Sequence, residues 1–259
     1  MIGVLIISLL CLLFMTVPIF VSLCLSALLV FGCFFPGQNM DIMMAQSMVK
    51  SCDSFALMAI PFFMLVGTLM TKTGIAQKLV QVAEVFTGDS AGGLGSAAMI
   101  ASMLFAAISG SGPATAAAIG GIMIPAMVAQ GYSKEYSAAL LASGSTIGPV
   151  IPPSIPMIMF AVTVGCSTTT LFLAGIVPGI LMGAGLIIYN KIISQKRNYR
   201  GNKGKTSFSD KMKALKEGFL ALLMPVIVLG GIYSGIFTPT ESAVVGVVYS
   251  MILGIFVYH

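Results

Sequence analysis

Long apolar runs without a charged residue alternate with short polar segments along this chain. The runs cover residues 2–35, 54–71, 90–133, 136–190, 218–240 and 242–258. A helix needs about 20 apolar residues to cross a hydrocarbon core of ~30 Å, and the runs lack the polar–apolar alternation of membrane β-strands. The pattern predicts an all-α integral membrane protein, a multi-span helical bundle.

Proline, glycine and capping residues divide the first third of the chain into elements. Pro18 interrupts the run 2–35 and predicts two short helices, which we assign with the rest of 1–53 to a scaffold. A polar loop should follow at 37–50, with Asp53 capping a span near 55–70. Apolar positions at helical spacing predict an amphipathic helix over 74–86, lying on the membrane surface or packed on the spans.

Two long runs are broken near their centres. In the first, 91–132, the sequence Ser-Gly-Ser-Gly-Pro at 109–113 follows an arm of about 14 residues, or ~21 Å of helix. That length favours a re-entrant hairpin over two full spans. In the second, 133–167, four prolines between Gly148 and Pro156 predict a discontinuous helix. A full span over 169–190 should follow.

The second half of the chain predicts topology. Most of the 13 Lys and Arg lie in 191–217, and the charge of +5 therefore indicates a cytoplasmic loop rather than nucleic-acid binding. This orientation places the N-terminus outside, on the side of the membrane opposite to the cytoplasm. Thr238, Pro239 and Glu241 form a capping-box sequence that opens the last span. The two spans in 218–259 cross opposite to the first two, as at the start of an inverted repeat.

The two breaks predict a binding site made of neutral oxygen atoms. Non-helical backbone at membrane depth is tolerated where it is buried or lines a cavity, and paired broken helices mark transporter sites. The flanking runs contain no Asp, Glu, Lys, Arg or His, which favours Na⁺ over proton coupling. Helix N-termini at such a site would favour an anion. The alternative is that Ser and Gly only allow close helix packing. The candidate oxygens belong to Ser109, Ser111, Gly112, Ser143, Ser145, Thr146 and Gly148.

The sequence disfavours both a serine hydrolase and a metal or cofactor site. Residues 88–92 match the G-x-S-x-G elbow of hydrolases around Ser90, but no strand precedes them and the only histidine is His259. We interpret them as a Gly-rich turn in which Asp89 or Ser90 caps the next helix. The five cysteines lack the spacing of metal ligands, so we expect neither a transition-metal site nor a cofactor.

Several segments resemble the large membrane subunit of tripartite ATP-independent periplasmic (TRAP) transporters. They are SFALMAIPFFMLVGTLM at 54–70, MLFAAISGSGPATAAAIG at 103–120, STIGPVIPPSIP at 145–156, FLAGIVPG at 172–179 and GGIYSGIFTPTE at 230–241. The resemblance implies an elevator-type, Na⁺-driven importer of organic anions such as C4-dicarboxylates or sialic acids, in a bacterial inner membrane. It also implies a small membrane subunit and a periplasmic substrate-binding protein as partners, and no enzymatic activity.

The resemblance gives residue assignments. Its first-hairpin cation site matches 109–112 and its partner segment matches 145–156. We assign Na⁺ to Ser109, Gly110, Ser111, Gly112, Ser145, Thr146 and Gly148. We assign the organic anion to Pro113, Thr115, Ser143, Pro152, Pro153 and Ser154.

This chain is shorter than the members of the family that it resembles. Family members continue through a second hairpin and a second broken helix, so we expect this chain to be truncated after the first repeat. Half of the implied sites would then be missing, and the chain alone should not transport. The alternative function is a non-transporting membrane scaffold that binds the small subunit.

Overall fold

Helices make up the regular structure of the computed structural model, which describes residues 1–35, 40–88, 90–199 and 208–258. No strand occurs in these residues, and the all-α prediction is confirmed. By length and hydropathy, four described helices could cross a membrane. A fifth span results if Ala59–Lys72 and Ile75–Thr87, which meet at 69°, count as one.

The first compact unit, Met1–Ser54, contains three helices: α1 (Ile2–Phe14), α2 (Ile19–Phe34) and α3 (Met40–Cys52). Pro18 stands at the N-cap of α2, which confirms the predicted helix–proline–helix arrangement. The predicted polar loop is wrong for residues 40–50, which are helical. They contain neither Gly nor Pro, and Met, Ala and Gln are good helix formers. Residues 37–39 lie outside the described part.

The second unit, Phe55–His259, holds the remaining helices. They are α4 (Ala59–Lys72), α5 (Ile75–Thr87), α6 (Gly93–Ser109), α7 (Gly112–Ala129), α8 (Lys134–Ser145), α9 (Ile155–Val164), α10 (Thr168–Lys196), α11 (Phe208–Tyr233) and α12 (Pro239–Leu253), which ends in the π-helical turn Gly254–Tyr258. The helix α6 is central because it packs against α4, α5, α7, α8, α10 and α11. Its small residues, among them Ala97, Ala98 and Ala101, are fully buried and allow this close packing.

Some predicted boundaries differ from the structure. Asp53 does not cap α4, which begins after Met58 without a side-chain cap. The hairpin arm α6 has 17 residues, because it already begins after the left-handed turn at Gly92. The predicted loop 191–217 is helical up to Lys196, since 186–196 contains no Gly or Pro to stop α10. The next helix, expected to start at Asp210, begins at Phe208. Residues 200–207 lie outside the described part.

Two predicted helix features are confirmed. Ile75, Leu79 and Val82 form the buried stripe of the amphipathic α5, which packs on α6 and α11. At the start of α12, the Glu241 amide donates to Thr238 Oγ1 at 3.3 Å, and the Thr238 amide donates to Glu241 Oε2 at 2.8 Å. These reciprocal bonds are the predicted capping box.

A buried polar cluster around Asn190 joins the base of α6 to α8 and α10. The Asn190 amide group donates to the Gly92 carbonyl at 2.8 Å and to Ser96 Oγ at 3.0 Å. Its Oδ1 accepts from the Tyr136 hydroxyl at 3.0 Å. These bonds satisfy groups that would otherwise be buried without a partner.

Tyr199 extends this cluster beyond the end of α10. Its carbonyl accepts from the Gly92 amide at 3.1 Å, and its hydroxyl accepts from the Ser133 amide at 3.2 Å. Its ring stacks on Tyr132 with centroids 4.3 Å apart. The base of the hairpin, the start of α8 and the end of α10 are therefore fixed to one another.

We expect Asn190→Ala to lower the free energy of unfolding by about 1–3 kcal/mol, because it leaves several buried partners unpaired. The measurement is unfolding in mixed micelles followed by circular dichroism. Gln195→Ala is the matched control, because Gln195 is an exposed amide on the same helix. Equal stability of the two variants would contradict a structural role for the Asn190 cluster.

Candidate functional site

The first break is the turn between α6 and α7. Gly110 ends α6 in the left-handed conformation, with a φ of 61°. Glycine adopts this conformation without strain. Ser111 then returns the chain to an extended conformation, and its Oγ accepts from the Ala114 amide at 3.4 Å. Pro113 occupies the first turn of α7, where no amide donor is needed. The sequence Ser-Gly-Ser-Gly-Pro thus ends one helix and starts the next.

The second break lies between α8 and α9. The end of α8 tightens through successive i→i+3 bonds, from the amides of Thr146, Ile147 and Gly148 to the carbonyls three residues earlier, at 3.0–3.2 Å. Ser154 starts α9 by accepting from the Met157 amide at 3.3 Å. Its hydroxyl donates to the Pro149 carbonyl at 2.5 Å, which closes the proline-rich segment on itself.

The two breaks lie against each other. The Ile155 amide donates to the Gly110 carbonyl at 3.3 Å. A methyl group added at Gly148 would lie 2.8 Å from the Gly112 nitrogen, and one added at Gly112 would lie 3.0 Å from the Ser145 carbonyl oxygen. The distance at Gly148 is too short for a Cβ atom, and the one at Gly112 would require the neighbouring carbonyl to shift, so glycine is favoured at both positions.

Neutral oxygens gather at the first break. Ser109 Oγ and Thr115 Oγ1 lie 3.5 Å apart, and both side chains are only 1% exposed. The Ser111 carbonyl accepts from Thr115 Oγ1 at 2.8 Å. Two oxygens that each lie ~2.4 Å from a hard cation, at right angles, are about 3.4 Å apart. The separation of the two hydroxyls is therefore compatible with a shared cation, which gives Thr115 a different ligand from the organic anion to which the sequence assigned it.

Helix ends of both polarities meet at the breaks. The C-terminal ends of α6 and α8 present carbonyl oxygens and negative partial charge, whereas the N-terminal ends of α7 and α9 present amide groups and positive partial charge. The carbonyl ends favour a cation, and the amide ends favour an anion. The breaks therefore offer carbonyl ends for a cation and, separately, amide ends for an anion.

The predicted site residues do not all converge. The structure brings together Ser109, Gly110, Ser111, Gly112, Thr115, Ser145, Gly148 and Pro153. Ser154 is fully buried beside them. Pro113 and Thr146 are exposed, and Thr146 Oγ1 donates to the Ser143 carbonyl at 2.7 Å.

Two other predicted residues line separate cavities. Ser143 lies on a cavity of about 140 Å³ between α8 and α10. Pro152 lies on an apolar cavity of about 230 Å³ with Ile151 and Ile176. The assignment of these two side chains to the organic anion gains no support from their positions.

Gly67 on α4 is a site neighbour that the sequence patterns did not single out. A methyl group at Gly67 would lie 3.1 Å from Ser109 Cβ, so α4 packs directly on the end of α6. The available signal was a lone glycine inside an otherwise bulky apolar run, which often marks close helix packing.

The turn at 88–92 provides no nucleophile elbow. Ser90 Oγ donates to the Thr87 carbonyl at 2.9 Å, and Gly92 caps α6 without a side-chain bond. The expectation that Ser90 caps the helix is therefore wrong, because Gly92 takes the left-handed conformation at the N-cap. Asp89 and His259 lie outside the described residues.

We expect Gly148→Ala to destabilise the fold by about 1–3 kcal/mol, because the added methyl group forces the two breaks apart. Gly121→Ala on α7 is the control, since a methyl group there meets no atom within 4 Å. It should be neutral or stabilising, because Ala is the better helix former. Urea unfolding in micelles compares them, and equal effects would contradict the tight contact.

Comparison with known proteins gives the family. The family model described as "Tripartite ATP-independent periplasmic transporter, DctM component" matches residues 6–259. The chain is 42% identical over 247 residues to the C4-dicarboxylate TRAP transporter large permease protein DctM of Vibrio cholerae, covering 94% of this chain and 53% of that protein.

Other relatives are named for different substrates. The chain is 46% identical over 215 residues to the isethionate TRAP transporter permease protein DctMQ of Oleidesulfovibrio alaskensis, covering 83% of this chain and 34% of that protein. It is 41% identical over 215 residues to the sialic acid TRAP transporter large permease protein SiaM of Vibrio cholerae, covering 83% and 50%. The chain spans about a third to a half of the length of these relatives. With its apolar helices and its two helix breaks, the chain belongs to the DctM family of TRAP transporter large permease components.

Proposed function

We propose that this chain supplies the first cation site of a Na⁺-coupled TRAP permease that imports an organic anion across the bacterial inner membrane. The supporting observation is the pair of buried neutral hydroxyls on Ser109 and Thr115, which flank the first break where α4 packs on the end of α6. The proposed partners are a small membrane subunit and a periplasmic binding protein. The proposed topology places the N-terminus in the periplasm and residues 191–217 in the cytoplasm.

Sodium fits this site better than a proton. The uncharged runs 90–133 and 136–190 that form both breaks contain no Asp, Glu, Lys, Arg or His. A proton-coupled carrier normally places a titratable side chain within the membrane. Hydroxyl and carbonyl oxygens instead replace the hydration shell of an alkali cation. The negative ends of α6 and α8 would add to this attraction.

An anionic substrate fits the amide ends of the same region. The N-terminal turns of α7 and α9 begin at Ser111 and Ser154, and the positive partial charge at such helix ends attracts carboxylate or sulfonate groups. The relatives named for C4-dicarboxylate, sialic acid and isethionate share this acidic chemistry. We propose that a bound cation favours the anion through their mutual attraction, which would couple the two.

The test compares Na⁺ with K⁺ at equal ionic strength on the purified chain in detergent. We expect Na⁺ at tenfold above its Kd to raise the free energy of unfolding by about 1.4 kcal/mol over K⁺. Helical circular dichroism during thermal unfolding gives the readout. Equal curves in the two salts would favour a scaffold without a cation site.

Paired variants locate the cation. Ser109→Ala combined with Thr115→Val should remove the difference between Na⁺ and K⁺, because both hydroxyl ligands are lost at nearly constant volume. Ser250→Ala is the control, since Ser250 is also fully buried and donates to a carbonyl of its own helix at 2.8 Å. A double variant that still responds to Na⁺ like the wild type would show that the oxygens were assigned wrongly.

A further inference from the structure

The cleft between α8 and α10 lies outside the contact of the two breaks. It measures about 140 Å³ and is lined by Tyr136, Ala139, Leu140, Ser143, Leu186 and Tyr189. Its walls are mostly apolar, while Tyr136 and Tyr189 place phenol groups near its end. Tyr189 is 54% exposed, so the cleft opens to the surroundings of the helix bundle. We call it the α8–α10 cleft.

Arg197 lies at the tyrosine end of this cleft. Its guanidinium carbon is 5.5 Å from the centroid of the Tyr136 ring. This separation lies within the range of cation–π contacts. The guanidinium also lowers the pKa of the Tyr199 phenol by hydrogen bonding. Within the described part of the chain, Arg197 forms no ion pair with a carboxylate, since the salt bridge found there joins Lys78 and Glu217.

Further cations lie in the segments that meet at this end. Lys134 begins α8, and the neighbouring Ser133 amide bonds to the Tyr199 hydroxyl, which places Lys134 close to the end of α10. Lys191 and Lys196 are exposed on α10. Glu135 is the acidic side chain next to Lys134, so positive charge predominates around the opening. An anion at this opening would therefore be attracted from several sides.

We propose that the α8–α10 cleft binds one anionic phospholipid, with its phosphate on Arg197 and part of an acyl chain along Ala139, Leu140 and Leu186. Arg is suited to this role because its planar donors match phosphate oxygens in pairs. Tyrosines are enriched where apolar membrane meets the headgroups, and basic pockets between membrane helices bind acidic lipid headgroups. The apolar walls distinguish a lipid from a free phosphate, which would make no use of them.

The cleft gives Ser143 a different role from the one expected for it. Ser143 lines the cleft, and its carbonyl accepts from Thr146 Oγ1 in the tightened end of α8. A lipid in the cleft would contact the helix that carries the second break. This placement assigns Ser143 to the lipid-facing wall rather than to the transported anion.

The experiment titrates the purified chain in detergent with dioleoyl phosphatidylglycerol, dioleoyl phosphatidylcholine or inorganic phosphate, and follows thermal unfolding. We expect phosphatidylglycerol to raise the unfolding temperature more than phosphatidylcholine, and phosphate alone to leave it unchanged. Arg197→Gln should weaken the apparent affinity for phosphatidylglycerol about fivefold, as expected for one cation near an anionic headgroup. An equal response to phosphate alone would overturn the lipid assignment.

Two more variants distinguish lipid binding in the cleft from non-specific attraction to positive charge. Ala139→Phe should also weaken binding of phosphatidylglycerol, because the ring fills the cleft from an exposed position and leaves the buried core intact. Lys72→Gln removes an exposed cation at the end of α4 and should leave the affinity unchanged. Equal losses in Lys72→Gln and Arg197→Gln, or full affinity in Ala139→Phe with a wild-type dichroism spectrum, would overturn the proposal.

Discussion

The contact between two interrupted helices is the constraint on which the rest of the second unit depends. A break inside a membrane leaves amide and carbonyl groups without helical partners, and lipid offers them none. Here one break helps to satisfy the other, since the Ile155 amide bonds to the Gly110 carbonyl, while Ser154 and the end of α8 satisfy groups within the second break. Glycine at 112 and 148 is what brings the two backbones this close. A side chain at 148 would force the two backbones apart, and one at 112 would tighten their contact further.

The hairpin is held differently at its two ends. At its base, Asn190 and Tyr199 bind α6, α8 and α10 through side-chain hydrogen bonds and stacked rings. At its tip, backbone contacts and small residues hold the breaks together. The full length of α6, from Gly93 to Ser109, separates the two ends. A rigid base with a tip of close-packed backbone allows the site to keep its shape without a charged anchor inside the membrane.

The sequence predicts best those features that depend on neighbouring residues. The turn at 109–113, the proline break at 148–156 and the capping box at Thr238 are local patterns, and all are present. The helix at 40–52 was missed because its polar composition resembles a loop, although its residues favour helix. The Asn190 cluster and the packing of Gly67 on Ser109 could not be predicted, because their partners are distant in the chain. The position of Ser143 on the α8–α10 cleft could not be predicted either, since it depends on the packing of α8 on α10.

The chemistry of the two breaks follows from their polarity rather than from charged side chains. A cation bound at the carbonyl ends of α6 and α8 would place a full positive charge close to the amide ends of α7 and α9. In a water-poor environment such a charge attracts an anion much more strongly than it would in bulk water. An anion would then meet both the helix dipoles and the cation, whereas without the cation it would face carbonyl oxygens that repel it. If the cation binds as proposed, anion binding would depend on it because the site is built from neutral oxygens, and a lysine or arginine in the same place would remove that dependence.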